Sequence, residues 1–133
     1  MMMGEAVLSF RPEITESIPY YRKQSAQLAS KMRYLSAQFI PYLDGLWLEN
    51  ARRANQSAAK LAAMLGELPF VEFTQKVESN QLFFTIPGEV AEALAKHYFF
   101  YYWNEAIHEV RLVTSWDTTD EDLENLVRLV RAL

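Results

Sequence analysis

The stretch Val110-Arg111-Leu112-Val113-Thr114-Ser115-Trp116-Asp117, continued by Thr118-Thr119-Asp120-Glu121, reads as a buried strand that runs straight into a capped helix. The β-branched and aliphatic residues suit a pleated, buried surface. Thr118 and Glu121 have the T-x-x-E spacing of a capping box. One guanidinium, Arg111, stands in the apolar part of that strand. A permanent charge between Val110 and Leu112 is costly to bury unless something anionic meets it. Either an internal carboxylate pairs with it or the strand presents it to an anionic ligand, and the residues alone leave the two about equal.

Downstream, Leu123, Leu126, Val127, Val130 and Leu133 form the apolar stripe of a last helix. Asp117, Asp120 and Asp122 are better explained as charge favourable to the start of that helix than as a metal site. Upstream, Ile107 to Thr114 is a strand, Asn104-Glu105-Ala106 a loop, and Tyr98-Phe99-Phe100-Tyr101-Tyr102-Trp103 an aromatic strand. At period two, Tyr98, Phe100 and Tyr102 alternate with Phe99, Tyr101 and Trp103. Core or inter-domain packing is a stronger reading of that run than a stacking platform for bases or a flat cofactor. His97 and His108 flank the two strands with no acid or nucleophile at useful spacing, so surface or edge positions are expected for both.

Further upstream, Glu89 to His97 is a short helix with Val90, Ala93 and Leu94 inward, following Pro87-Gly88. Phe70–Phe73 and Gln81–Ile86 are strands joined by the turn residues Glu78-Ser79-Asn80. Leu46 to Leu68 is the clearest helix, with Trp47, Ala51, Ala54, Ala58, Leu61 and Leu65 on one face and Pro69 as its stop. Tyr20 to Leu43 is also helical in pattern, kinked near its end by Pro41 and followed by an Asp44-Gly45 turn. Pro12 suits a first helical turn, and Pro19 ends or interrupts that short helix. Ala6–Phe10 lacks alternation, which predicts a strand buried on both faces yet orphaned, since no partner follows nearby. The order is strand, helices, then β-β-α-β-β-α. This predicts an α+β fold: a small, mostly antiparallel sheet covered by helices, preceded by the orphan strand and long helices. Residues 1–43 and 44–133 are the expected parts.

With 133 residues and 50% hydrophobic content, the chain can build a globular core. Its formal net charge of −4 removes any global electrostatic case for nucleic acid or an anionic membrane. The absence of cysteine excludes disulfides, thiolate nucleophiles and Cys-based zinc sites, and two histidines make a His-rich metal site unexpected. Met1–Phe10 lacks the basic start of a signal peptide, and no window reaches the ~18 apolar residues of a membrane span. A cytoplasmic protein is expected. Arg22, Lys23, Lys31 and Arg33, with Arg52 and Arg53 beyond, read first as solvated helix faces and second as an anion cradle. The chain contains no nucleophile–base pair, glycine-rich phosphate loop or metal motif.

Five stretches carry a resemblance. Met3-Gly4-Glu5-Ala6-Val7, Tyr21-Arg22-Lys23-Gln24, Ser30–Gln38 (Ser-Lys-Met-Arg-Tyr-Leu-Ser-Ala-Gln), Leu46–Ala51 (Leu-Trp-Leu-Glu-Asn-Ala) and Val110–Thr118 resemble low-specificity L-threonine aldolases. That family lies within the aromatic β-eliminating lyase and threonine aldolase group of fold-type I pyridoxal-phosphate enzymes. The likeness runs through essentially the whole chain in order. It implies the C-terminal portion of such an enzyme: the last part of the large domain (1–43) and the C-terminal small domain (44–133). It also implies that the chain starts just after the turn holding the Schiff-base lysine, a position that Lys23, Lys31, Lys60, Lys76 and Lys96 do not occupy. The family's cofactor-stacking histidine, pyridine-facing aspartate and phosphate turn lie further upstream.

By the same resemblance Arg111 matches the arginine that grips the substrate carboxylate. Arg33 is similar to an arginine that reaches the cofactor phosphate of a neighbouring subunit, with Lys23 a weaker match for an accompanying basic residue. No catalytic residue and no metal ligand carry over. The implied reaction is cleavage of a β-hydroxy-α-amino acid, such as threonine, to glycine and an aldehyde. Pyridoxal 5′-phosphate is expected in the complete enzyme and not on this chain alone, which is expected to be inactive alone. A homo-oligomer, or self-association through exposed apolar surface, is expected. The alternatives are a non-catalytic binding or oligomerisation module that keeps the small-domain fold, and complementation by a separately encoded large domain.

Overall fold

The computed structural model describes residues 4–132. The chain divides into two compact units, 1–47 and 48–133.

In the first unit, α1 (Pro12–Thr15) opens with proline in its first turn, where a missing N–H costs nothing. Pro19 does not end this helix. It sits in the first turn of α2 (Ile18–Gln24). The helical pattern expected from Tyr20 to Leu43 is broken, because Ala26 and Lys31 both take the left-handed conformation (φ 55° and 58°). The chain resumes as α3 (Met32–Pro41), and a wider turn over Tyr42–Leu46 contains the non-helical Asp44 and Gly45. Gly45, at φ 93°, is where the expected turn requires a residue without a Cβ. The Ala6–Phe10 strand is absent: this segment has no regular structure, and Val7, Leu8 and Phe10 are 79%, 82% and 93% exposed. An isolated extended segment has no ladder partner for its backbone groups, so apolar composition alone cannot make it a strand. None of the described residues of this unit is buried.

The second unit has a core of its own. Helix α4 (Trp47–Leu65) buries Ala54, Ser57, Ala58, Leu61 and Leu65, while Trp47 and Ala51 at the start of its stripe stay exposed. It ends before Gly66, three residues ahead of the expected stop at Pro69. The strands β1 (Glu72–Phe73), β2 (Gln81–Thr85), β3 (Tyr101–Asn104) and β4 (Glu109–Val113) form one sheet in the order β1-β2-β4-β3. Every pairing is antiparallel. Helix α5 (Gly88–Ala95) links β2 to β3 and buries Val90, Ala91 and Leu94, so Ala91 takes the inward place expected of Ala93.

Helix α6 (Asp120–Arg131) follows β4 and buries Leu123, Leu126, Val127 and Val130; Leu133 lies outside the described residues. Its capping box is one residue later than the sequence suggests. Thr119 is the N-cap and Asp122 its reciprocal partner, while the Thr118 hydroxyl accepts the Ser115 N–H at 2.8 Å and closes the turn before it.

Alternation along the strands decides the layers. Leu82, Phe84, Ile86, Val110 and Leu112 point to one face and pack with buried residues of α4, α5 and α6. The α+β architecture of this unit is therefore two layers, with α4, α5 and α6 on one side of the sheet. Thr114, just beyond β4, donates its hydroxyl to the Ala54 carbonyl at 2.7 Å and fastens the strand end to α4. The opposite sheet face carries Gln81, Phe83, Thr85, Glu109, Arg111 and Val113.

Candidate functional site

Arg111 lies on that second face, at the centre of the sheet. Its register partners are Phe83 on β2 and Tyr101 on β3. β4 is therefore buried on its helix-packed side only, and a charge between Val110 and Leu112 points away from the core. The guanidinium carbon stands 5.2 Å from the Tyr101 ring centroid and 5.4 Å from that of Trp103. Phe83 meets Trp103 edge-on at 5.1 Å. Two rings thus stand against one cation, with Phe83 behind the second, and such contacts are favourable because a cation is attracted to the rings' electron-rich faces.

No acid answers it. Among the described residues Arg111 has no salt-bridge partner, and its Nε is buried without a hydrogen bond. Glu109, two residues away on the same face, is buried and accepts a short hydrogen bond from the Thr74 hydroxyl instead. A shielded, unpaired donor costs on the order of 1–3 kcal/mol. The internal-carboxylate reading of Arg111 therefore fails in this chain, and the guanidinium remains free to take an external anion through its terminal nitrogens.

Beside it, a cleft of about 300 Å³ runs along Tyr98–Tyr101 and the last residues of β4 to the start of α6, with Leu61, Leu123 and Leu126 below. Arg111 and Asp122 both line it. The Asp122 carboxyl is held below the ordinary aspartate range, first by the Thr119 hydroxyl and then by the Thr119 N–H, both of which favour its ionised form. A second hollow of about 380 Å³, between α4 and α6, is lined by Glu67 and Arg131, which pair with each other at 3.1 Å.

The other expected ligand residues lie in the first unit. Arg33, on α3, is exposed; its Nη2 is 3.4 Å from the Tyr34 hydroxyl and its Cζ 4.8 Å from the Tyr34 ring. Lys23, on α2, is exposed, as is Lys31 at the start of α3. Arg22 donates from Nε to the Gln27 carbonyl at 3.0 Å. His97 and His108 are both exposed, and His108 adopts φ 51° with its ring against Gly88. Asp120 pairs with Lys60 at 2.6 Å in the first turn of α6. Among the described residues no cluster of His, Cys, Asp or Glu could hold a metal ion, and no helix is long and apolar enough to cross a membrane.

Sequence reasoning missed the frame around Arg111. The two-residue period of the aromatic run does put Tyr101 and Trp103 on one face of β3. The same period says nothing about which face Arg111 occupies, and Phe83 enters only through the β2–β4 register.

No protein-family model matches the chain. Among curated proteins, the low specificity L-threonine aldolase of Pseudomonas sp. (strain NCIMB 10558) is 37% identical over 134 residues, covering 100% of this chain and 39% of that protein. The low specificity L-threonine aldolase of Pseudomonas aeruginosa is 36% identical over 132 residues, covering 98% of this chain and 38% of that protein. The chain thus spans about two-fifths of the length of the curated relatives it matches. Among solved structures, glycine decarboxylase (P-protein) of the glycine cleavage system, in inhibitor-bound form, aligns with a TM-score of 0.54. It is 24% identical over 63% of this chain and 21% of that one, a likeness of fold.

Proposed function

We propose that this chain, homologous along its whole length to the C-terminal part of low-specificity L-threonine aldolases, supplies the carboxylate-binding small domain of a lyase of that type. The reaction is cleavage of a β-hydroxy-α-amino acid to glycine and an aldehyde. The observation that carries this reading is the unpaired Arg111 guanidinium on the sheet face turned away from α4, α5 and α6. A planar fork of donors recognises a carboxylate bidentately. Arg111 would hold the amino-acid carboxylate and so orient the Cα–Cβ bond, without moving a proton. Residues 1–43 would be the end of the large domain and 44–133 the small domain of a cytoplasmic enzyme.

The cofactor implied by the resemblance is pyridoxal 5′-phosphate, which carries this class of chemistry while the protein binds and orients. The residues present do not by themselves make its site. Arg33 and Lys23 offer phosphate-binding charge from exposed positions. Lys60 and Lys76 are held by Asp120 and Glu78, and Lys23, Lys31 and Lys96 are exposed on helices or turns, so no lysine amine lies in a desolvated pocket. These 133 residues are therefore inactive alone in this reading.

The test is reconstitution. The chain alone, mixed with pyridoxal phosphate and threonine, is expected to give no change in cofactor absorbance and no glycine. Fused behind the upstream part of the Pseudomonas aeruginosa relative, it should give both, with glycine formation lost in Arg111→Leu. Glycine from the chain alone, or a fusion indifferent to Arg111, would overturn the proposal.

A second reading, a non-catalytic binding or oligomerisation module, is favoured by the self-contained core of residues 48–132. The first reading instead expects self-association, because Val7, Leu8, Phe10, Tyr20, Ile40 and Leu43 are all more than two-thirds exposed. Gel filtration with a dye for apolar surface separates the two: a clean monomer that binds no dye favours the module.

A further inference from the structure

The strand β3 is irregular where it passes Arg111. Tyr101 pairs with Arg111 and Tyr102 with Val110, but Asn104, not Trp103, pairs with Glu109. Trp103 is the extra residue at this register shift, of the kind a β-bulge makes, and alternation from Tyr101 keeps its side chain on the face that carries Arg111. Its ring lies 5.4 Å from the Arg111 guanidinium carbon, and the Tyr101 ring lies 5.2 Å from the same atom. Phe83, the partner of Arg111 across β2, meets that ring at 71° and so holds it in place. Tyr101 and Trp103 nevertheless remain 56% and 53% exposed. Two large rings left half in water contribute little packing, and both lie against the one arginine.

We propose that Trp103 and Tyr101 are positioning residues for Arg111, fixing its guanidinium end-on so that both terminal nitrogens face an incoming carboxylate. This rests on the reading of Arg111 as a carboxylate site. A free arginine side chain samples many rotamers and loses that freedom on binding. With Nε buried and without a partner, the fork is presented by the terminal nitrogens and is ordered before the anion arrives. Preorganisation of this kind raises affinity without adding a contact to the ligand.

The test uses the ¹⁵N-labelled 133-residue chain titrated with sodium acetate, against sodium chloride at equal ionic strength. The probe is the Arg111 Nε–H resonance, assigned by its loss in Arg111→Lys. A saturable, acetate-specific shift is expected. Trp103→Leu should weaken acetate binding about two- to fivefold, the worth of an exposed cation–π contact, and Trp103→Phe should restore most of it. Tyr101→Leu should act in the same direction and replaces Trp103→Leu if that variant does not fold. Equal acetate affinity in the leucine variants and the parent overturns the positioning role and leaves the carboxylate reading intact. No acetate-specific shift in the parent overturns the carboxylate reading, and the positioning role with it.

Discussion

Arg111 and Tyr101 face each other directly across β4 and β3, and the guanidinium carbon of one lies 5.2 Å from the ring centroid of the other. That contact takes the place of the carboxylate which a partly buried arginine ordinarily needs. The charge is tolerated, not matched. Arg111→Met keeps an unbranched apolar stem out to the Nε position and removes the unpaired donor, so urea unfolding should place the variant within about 1 kcal/mol of the parent, on the more stable side. In the reconstituted enzyme Arg111→Lys keeps the charge but loses the planar fork. KM for the amino acid should then rise about tenfold or more with a smaller fall in kcat, as steady-state kinetics would read.

Thr114 ties the end of β4 to α4 through its bond to the Ala54 carbonyl, and its own carbonyl accepts from the Asn80 side chain at 2.8 Å. Thr114→Val preserves shape and removes the buried donor. A loss of about 1–2 kcal/mol in urea unfolding is expected, because the Ala54 oxygen keeps only its helical partner.

Leu82 is fully buried at the centre of the sheet, whereas Phe10 is 93% exposed. Leu82→Ala should cost about 2–5 kcal/mol, the usual range for an aliphatic core cavity. Phe10→Ala should stay within about 0.5 kcal/mol despite removing the larger side chain. Hydrogen exchange should show the same division, with amides of α1–α3 exchanging through local opening and those of β2 and β4 protected up to the global stability.

The start of α6 gives a pH signature. Asp122 has its pKa lowered on folding by its bonds from Thr119. A depressed carboxyl adds stability that is fully present above the ordinary aspartate value of about 3.9 and is lost as pH falls through the folded value. The urea midpoints of the parent and Asp122→Asn should therefore differ most at neutral pH and converge below about pH 4. Thr119→Ala removes the N-cap itself and should cost about 1 kcal/mol at neutral pH.

Elements with a strong period of their own were legible in sequence. The apolar stripes of α4 and α6 repeat at helical spacing, and among the described residues those they mark from Ala54 onward are all buried, joined in α4 by Ser57. Failures came where local pattern lacked a partner or met a backbone break. Ala6–Phe10 has strand composition but no strand beside it. The helical rhythm of Tyr20–Leu43 does not reveal the left-handed backbone at Ala26 and Lys31. The cap of α6 fell on Thr119 because two threonines stand together, and only the backbone decides which is extended.

Composition and order by themselves determined an antiparallel α+β unit, and they singled out Arg111 because a permanent charge in an apolar strand demands an explanation. They also carried the likeness to the threonine aldolases, which the comparison with known proteins bore out. Tertiary structure alone decided that Arg111 faces away from α4, α5 and α6, that no carboxylate among the described residues reaches it, and that the rings of Tyr101 and Trp103 lie beside it. The physical reason is register. Which side chains meet across a sheet depends on how strands distant in sequence align, and a single extra residue such as Trp103 changes the neighbours without changing the pattern.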